Sequence, residues 1–192
     1  GAVLPDAYEG CAEWGDLDND GFLDIVSTGD DGYGNGFTRV FLNNHDNTFT
    51  EQNDISIPGI VGSVSLGDYD NDDDLDILMS GYNNLSGYTS KIYRNDNGSF
   101  TDIDADLPQV GKGSTAWGDY DNDGDLDILI SGYNWIDAGA DRGSRNDDGI
   151  FTDISAGLTG VEYGTAAWGD YDNEFEHALP PGLAFTGYVY IT

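Results

Sequence analysis

Short apolar or alternating runs separated by polar turns make up this chain, and no stretch keeps helical spacing over three turns. The segment from residue 62 to residue 103 shows the pattern in full. Gly62-Ser-Val-Ser-Leu66 alternates and leads into an acidic loop. Leu75-Asp-Ile-Leu-Met-Ser80 is a short, mostly apolar run, ended by Gly81, Asn83 and Asn84. Tyr88-Thr-Ser-Lys-Ile-Tyr93 alternates again, Asn95-Asp-Asn-Gly98 reads as a hairpin turn, and Ser99-Phe-Thr-Asp-Ile103 is a fourth strand. The pattern predicts four short antiparallel strands, about the size of one propeller blade.

The unit repeats. Trp14-Gly-Asp-Leu-Asp-Asn-Asp-Gly21 lines up with Leu66-Gly-Asp-Tyr-Asp-Asn-Asp-Asp73, Trp117-Gly-Asp-Tyr-Asp-Asn-Asp-Gly124 and Trp168-Gly-Asp-Tyr-Asp-Asn173. The leading aspartates Asp16, Asp68, Asp119 and Asp170 are 52, 51 and 51 residues apart. The similarity reaches beyond the acidic loops, because Tyr93-Arg-Asn-Asp-Asn-Gly-Ser-Phe-Thr-Asp-Ile103 returns as Ser144-Arg-Asn-Asp-Asp-Gly-Ile-Phe-Thr-Asp-Ile154. Phe41-Leu-Asn-Asn-His-Asp-Asn-Thr-Phe-Thr50 carries one extra turn residue, which accounts for the longer first period. The expected organisation is one repeat domain over residues 1–192, with blades at about 8–60, 61–110, 111–161 and a degenerate 162–192. The expected fold is all-β, a propeller of four-stranded antiparallel blades with a calcium loop in each. Closed propellers have about four to eight blades. Three intact units and one damaged one therefore suggest a partial or open propeller whose exposed blade edges favour self-association. Trp14, Trp117 and Trp168, with Leu66 in the equivalent place, are expected to pack between blades. Gly143 and Ser144 stand where the second unit has Ile92 and Tyr93, which predicts a poor third strand in the third unit.

Charge sharpens the picture. The 37 acidic residues face 6 basic ones, a formal net charge of -31, and about half of the acids fall in four short clusters. Self-repulsion on that scale destabilises a compact state unless cations neutralise it. It also argues against nucleic acid, whose binding relies on Lys and Arg neutralising phosphates. Apolar residues are 38% of the chain, enough for a core, yet no apolar run approaches the roughly 20 residues of a membrane span. Cys11 is the single cysteine, so there is neither an internal disulfide nor a cysteine-based zinc site. With Gly1 first and no leader sequence, the chain reads as a mature or excised segment.

Within the acidic loops, carboxylates fall at positions 1, 3, 5 and 9. They are Asp16, Asp18, Asp20 and Asp24 in the first loop, Asp68, Asp70, Asp72 and Asp76 in the second, and Asp119, Asp121, Asp123 and Asp127 in the third. Calcium takes six to eight hard oxygens at roughly 2.3–2.6 Å in a forgiving geometry, whereas magnesium demands a stricter octahedron. Alternate residues of a tight loop aim carboxylates at one centre. Position 7, occupied by Phe22, Asp74 and Asp125, offers a backbone carbonyl, and position 9 closes the shell from the next strand. Gly21 and Gly124 at position 6 suit a sharp reversal with positive φ, and Asp73 takes that place in the second loop. An EF-hand would need a bidentate acid at position 12 and flanking helices. Here position 12 holds Ser27, Met79 and Ile130, and the flanks are strands. About three calcium ions are expected. In the fourth unit Asp170 and Asp172 persist, but Glu174 takes position 5, Phe175 replaces the glycine and Ala178 stands at position 9, so that site reads as weak or lost.

Trp117-Gly-Asp-Tyr-Asp-Asn-Asp-Gly-Asp-Leu-Asp-Ile128, recurring every 51 residues or so, resembles the FG-GAP/VCBS repeats of integrin α-subunit propellers and of many secreted bacterial proteins. The resemblance covers nearly all of residues 8–173. It implies calcium held in the hairpin between the first two strands of each blade, an extracellular, secreted or cell-surface setting, and adhesion to or recognition of protein or carbohydrate ligands. A self-assembling structural subunit is the second reading, and part of a polysaccharide-degrading enzyme the third. His45 lies in a turn and His177 in the degenerate unit, neither beside a recognisable nucleophile motif, so no catalytic residue is expected.

Overall fold

The computed structural model describes residues 6–134, 142–156, 158 and 162–168. Among the described residues the secondary structure is all β, with twelve strands in three four-stranded antiparallel sheets. The first sheet holds β1 (Ala12–Gly15), β2 (Asp24–Asp30), β3 (Gly36–Asn43) and β4 (Phe49–Glu51) in that order. The second holds β5 (Val61–Gly67), β6 (Asp76–Asn83), β7 (Gly87–Asp96) and β8 (Ser99–Asp102), and the third β9 (Thr115–Gly118), β10 (Asp127–Ile130), β11 (Arg142–Asp147) and β12 (Ile150–Asp153). Each is a meander of hairpins, the connection that short local strands allow. The acidic loops are the β1–β2, β5–β6 and β9–β10 connections, so the structure puts them between the first two strands of each blade.

The second strand of each blade explains why its sequence runs apolar instead of alternating. In β6, Ile77 and Met79 join a core with Leu17, Val26, Val40 and Val64 of the first two sheets. Leu78, on the opposite face, joins Ile92, Ile128 and Ile130 in a core shared by the second and third sheets. Successive strand residues point to opposite faces, so a strand covered on both sides needs apolar residues at every position. Polar groups also cross between blades: the Thr28 hydroxyl donates to the Gly62 carbonyl at 2.7 Å, and the Ser65 hydroxyl to the Thr115 carbonyl at 2.9 Å.

A glycine ends the first strand of each blade because the next blade presses on it. A Cβ at Gly15 would lie 2.7 Å from methyls of both Leu66 and Leu75. One at Gly67 would lie 2.8 Å from the Trp117 ring and 2.9 Å from Leu126, and one at Gly118 would lie 2.5 Å from Trp168. Leu66, Trp117 and Trp168 therefore pack between blades as expected. Trp14 departs from that expectation: it is 58% exposed, as is Leu23 at 54%, and its ring meets only the edge of Phe49 among aromatic partners. The third unit also departs from its reading, since β11 forms despite Gly143 and Ser144. A Cβ at Gly143 would fall 2.7 Å from an Ile154 methyl, so a larger residue there would shift that side chain.

Candidate metal centres

Each loop is shaped by the carboxylate at position 1. Asp16 accepts from the N–H groups of Asp20 and Gly21 at 3.0 and 2.8 Å, Asp68 from Asp72 and Asp73 at 3.0 Å each, and Asp119 from Asp123 and Gly124 at 3.1 and 3.2 Å. The reversal needs two left-handed residues per loop. Position 4 supplies one (Asn19, Asn71 and Asn122, φ 57°, 58° and 60°) and position 6 the other (Gly21, Asp73 and Gly124, φ 88°, 71° and 99°). Asparagine tolerates that region better than other non-glycine residues, which is why Asp-Asn-Asp recurs.

Position 9 sits at the floor of each loop, at the start of β2, β6 and β10. Asp24, Asp76 and Asp127 are buried, and each accepts two backbone N–H groups. For Asp24 the donors are Leu17 and Asn43, both at 2.8 Å. For Asp76 they are Tyr69 at 3.0 Å and Asn95 at 2.8 Å, and for Asp127 they are Tyr120 at 2.7 Å and Asn146 at 2.8 Å. Burial outweighs these bonds, so the carboxyl is raised in all three, to about 7 in Asp76 and about 6 in Asp127. Burial followed by the charge of the position 5 aspartate likewise raises Asp70 and Asp121.

Carboxylate oxygens from positions 1, 3 and 9 come within 4.8 Å of one another three times: Asp16 with Asp18 and Asp24, Asp68 with Asp70 and Asp76, and Asp119 with Asp121 and Asp127. Oxygens bound at about 2.4 Å to one ion stand at most about 4.8 Å apart, so each triplet fits a single calcium-sized cation. Positions 5 and 7 also brace the loops. Asp20, Asp72 and Asp123 each accept the N–H of position 7 at 2.9, 2.9 and 3.0 Å. Asp20 also pairs with the His45 imidazole, which holds its carboxyl below the usual range, and His45 stacks on Phe22 at 4.0 Å. Asp74 and Asp125 at position 7 turn to the preceding blade: Asn19 Nδ2 donates to Asp74 at 2.6 Å and Asn71 Nδ2 to Asp125 at 2.9 Å. Asp170, Asp172 and Glu174 lie outside the described residues.

Among the described residues no Lys or Arg forms an ion pair with a triplet carboxylate, although the charges of Arg94 and Arg145 reach Asp70 and Asp121. Arg39, Lys91, Arg94, Arg142 and Arg145 pair with Glu51, Asp102, Asp96, Asp153 and Asp147, all outside the loops. Asp121 adds an orphan, a buried Oδ1 without a hydrogen-bond partner among the described residues, beside Asp119 and Asp127. Buried polar atoms are rarely left unpaired, and a cation among these carboxylates would satisfy it. The three Asp clusters can each hold a metal ion.

The FG-GAP-like repeat family matches residues 16–79 and 80–130, well over half of the chain. The chain belongs to the FG-GAP-like repeat family. No curated protein matches it. FG-GAP-like repeats are typical of extracellular proteins, and among the described residues no helix is long and apolar enough to cross a membrane.

The repeat also hides residues that sequence reasoning passed over. Asn43 is the last residue of β3, and Asn95 and Asn146 are the last but one of β7 and β11. Asn95 and Asn146 are fully buried, and each touches two loops at once. Their signal was the shared Arg-Asn-Asp of the second and third units, read above as part of a hairpin turn.

Proposed function

We propose that this chain is a calcium-binding extracellular module that recognises protein or carbohydrate ligands, without catalysis of its own. The observation that carries the metal is the threefold convergence of positions 1, 3 and 9 within the span of one calcium ion. Asp18, Asp70 and Asp121 supply the position that alternate spacing brings round beside Asp16, Asp68 and Asp119. The blade turns at the ends of strands opposite the loops display side chains for contact: Tyr33 is 89% and Leu85 98% exposed, and the Asn84 amide ties its turn to the Gly34 carbonyl of the neighbouring turn. Exposed aromatic and amide groups suit sugar and peptide surfaces alike. His45 is engaged by Asp20 and Phe22. Native mass spectrometry tests the metal: three bound calcium ions are expected, none would overturn the reading, and a fourth would assign a site to Asp170, Asp172 and the glutamates beside them. A glycan array and a protein-array screen in calcium then decide the ligand class.

The titration of the loops gives an independent check. Asp76 and Asp127 hold protons in the metal-free fold up to pH about 7 and about 6, while the unfolded chain releases them near 3.8. Between those limits the folded state binds more protons, so metal-free stability falls as pH rises. Calcium competes with the same protons, so its affinity rises over the same window. Melting curves at pH 5 and pH 7.5 are therefore expected to show a much larger calcium-induced shift at the higher pH. An equal shift at both would contradict protonation of the position 9 carboxyls.

A self-assembling role is the second reading, and the face of the first blade favours it. Trp14 and Leu23 occupy the places from which Leu66 and Leu75, or Trp117 and Leu126, reach the glycine of a preceding blade, yet both are exposed. Two uncovered apolar side chains at a blade edge invite a partner. Light scattering across a concentration series is expected to show mass rising above 20.6 kDa and Trp14→Glu to suppress the rise. A constant mass would remove this reading.

A further inference from the structure

Asn95 belongs to two metal loops. Its backbone N–H donates to Asp76 at 2.8 Å, the floor of the second loop. Its side-chain amide donates to the Leu17 carbonyl at 2.9 Å and to the Leu75 carbonyl at 3.2 Å, while Gly98 N–H fixes Oδ1 at 2.7 Å. Leu17 sits between Asp16 and Asp18, and its own N–H donates to Asp24, so the amide grips the peptide that spaces two carboxylates of the first loop. Asn146 repeats this one blade on. Its N–H meets Asp127 at 2.8 Å, its amide meets the Tyr69 carbonyl at 2.9 Å and the Leu126 carbonyl at 3.2 Å, and Gly149 N–H holds Oδ1 at 2.7 Å. A second strut runs parallel to each. Asn19 donates to Asp74 and Asn71 to Asp125, and the far oxygens of those aspartates accept the N–H groups of Asn97 and Asp148 at 2.8 and 3.2 Å.

We propose that Asn95 and Asn146 are positioning residues that couple neighbouring metal loops, so that filling one loop tightens the loop of the blade before it. The coupling rests on the calcium reading above. The coupling requires each loop to pass between two arrangements, one closed around an ion and one opened by repulsion among its three carboxylates. Closing the third loop fixes Asp127, which fixes the Asn146 backbone and aims its amide at Tyr69. The segment from Asp68 to Asp70 is then held in its binding arrangement, and the second ion has less ordering to impose. Linkage makes the effect reciprocal, and couplings of this kind change affinity about 5- to 150-fold. Through-space repulsion between two bound cations has the opposite sign, but at roughly 0.15 M salt it is screened over about 8 Å.

Only two sites are needed to see it. In the full chain, Asp16→Asn with Asp18→Asn disables the first loop and leaves the second and third. Calcium titration against a chromophoric chelator in physiological salt is expected to show two ions binding with positive cooperativity, the second about tenfold tighter than independent sites allow. Asn146→Ala in the same background is expected to abolish the cooperativity. Where that buried change prevents folding, Asn71→Gly removes the parallel strut while suiting a residue with φ of 58°, and it is expected to reduce the cooperativity severalfold. A residue that merely stabilised the fold would leave the cooperativity intact where circular dichroism shows the metal-free protein folded, and would raise it on removal where binding drives folding. Independent binding of two ions in the parent two-site protein overturns the coupling, as does cooperativity that survives Asn71→Gly undiminished. Absence of calcium from the unmodified chain is a separate result that removes the calcium reading itself.

Discussion

The chain is expected to melt roughly 15–30 °C lower in EDTA than in excess calcium, taking a shift of about 2–4 °C per kcal/mol for a domain of this size. A ligand that binds only the native state stabilises it by about 2.7 kcal/mol per site at a hundredfold excess over Kd, and three sites bring about 8 kcal/mol. In the metal-free state the loop carboxylates have no paired cation that would replace the ion. The basic side chains at positions 39, 91, 94, 142 and 145 are engaged along the strands, while the buried floors Asp24, Asp76 and Asp127 remain among other carboxylates. Those floors also anchor blade structure, since each accepts an N–H from the end of the third strand of its own blade. Losing the ion therefore loosens the sheet as well as the loop. Circular dichroism melts in calcium, in magnesium and in EDTA measure the effect. Midpoints that coincide in calcium and EDTA would mean that the loops are not calcium sites.

Much of this is legible in the sequence because the same unit is written several times. A single Asp-Asn-Asp-Gly is an ordinary turn, but the phase of its carboxylates against a following apolar run, kept at Asp24, Asp76 and Asp127, separates a site from a turn. Strand positions followed for the same reason. What the sequence conceals is which side chain crosses to another blade. Asp20, Asp72 and Asp123 look equivalent to the acids at positions 1 and 3, yet they brace the backbone of position 7, a choice set by loop curvature that alternation alone does not describe. Asp74 and Asp125 enter the sequence reading only through their backbone carbonyls, while their side chains receive amides from residues 55 and 54 positions earlier. Asn95 and Asn146 look like turn residues because asparagine is common in turns. Their role depends on contacts 78 and 77 residues away, which no local pattern reveals. Trp14 is the reverse case: its sequence neighbourhood matches Trp117 and Trp168, yet among the described residues it stays exposed.

Asp127→Ala and Asp123→Ala separate the floor of a loop from its rim. Both residues lie in the third loop and both carry the charge that the spacing assigns to the metal. Asp127 is fully buried, belongs to the triplet with Asp119 and Asp121, and accepts from Tyr120 and Asn146. Replacing it with alanine removes one ligand and orphans two backbone donors at the junction of β10 and β11. Unsatisfied buried donors cost about 1–3 kcal/mol each, so a loss of roughly 2–6 kcal/mol is expected even in EDTA, with one ion fewer in calcium. Among the described residues Asp123 accepts the Asp125 N–H at 3.0 Å, and it sits at the exposed rim. Asp123→Ala should keep the triplet, retain the ion at millimolar calcium with reduced affinity, and leave the EDTA melting point within about 0.5 kcal/mol of the parent, as surface changes usually do. Ion counting by native mass spectrometry and paired melts in calcium and EDTA read both quantities from the same samples. Loss of the ion from Asp123→Ala with its retention in Asp127→Ala would place the metal at the rim and overturn the geometry argued here.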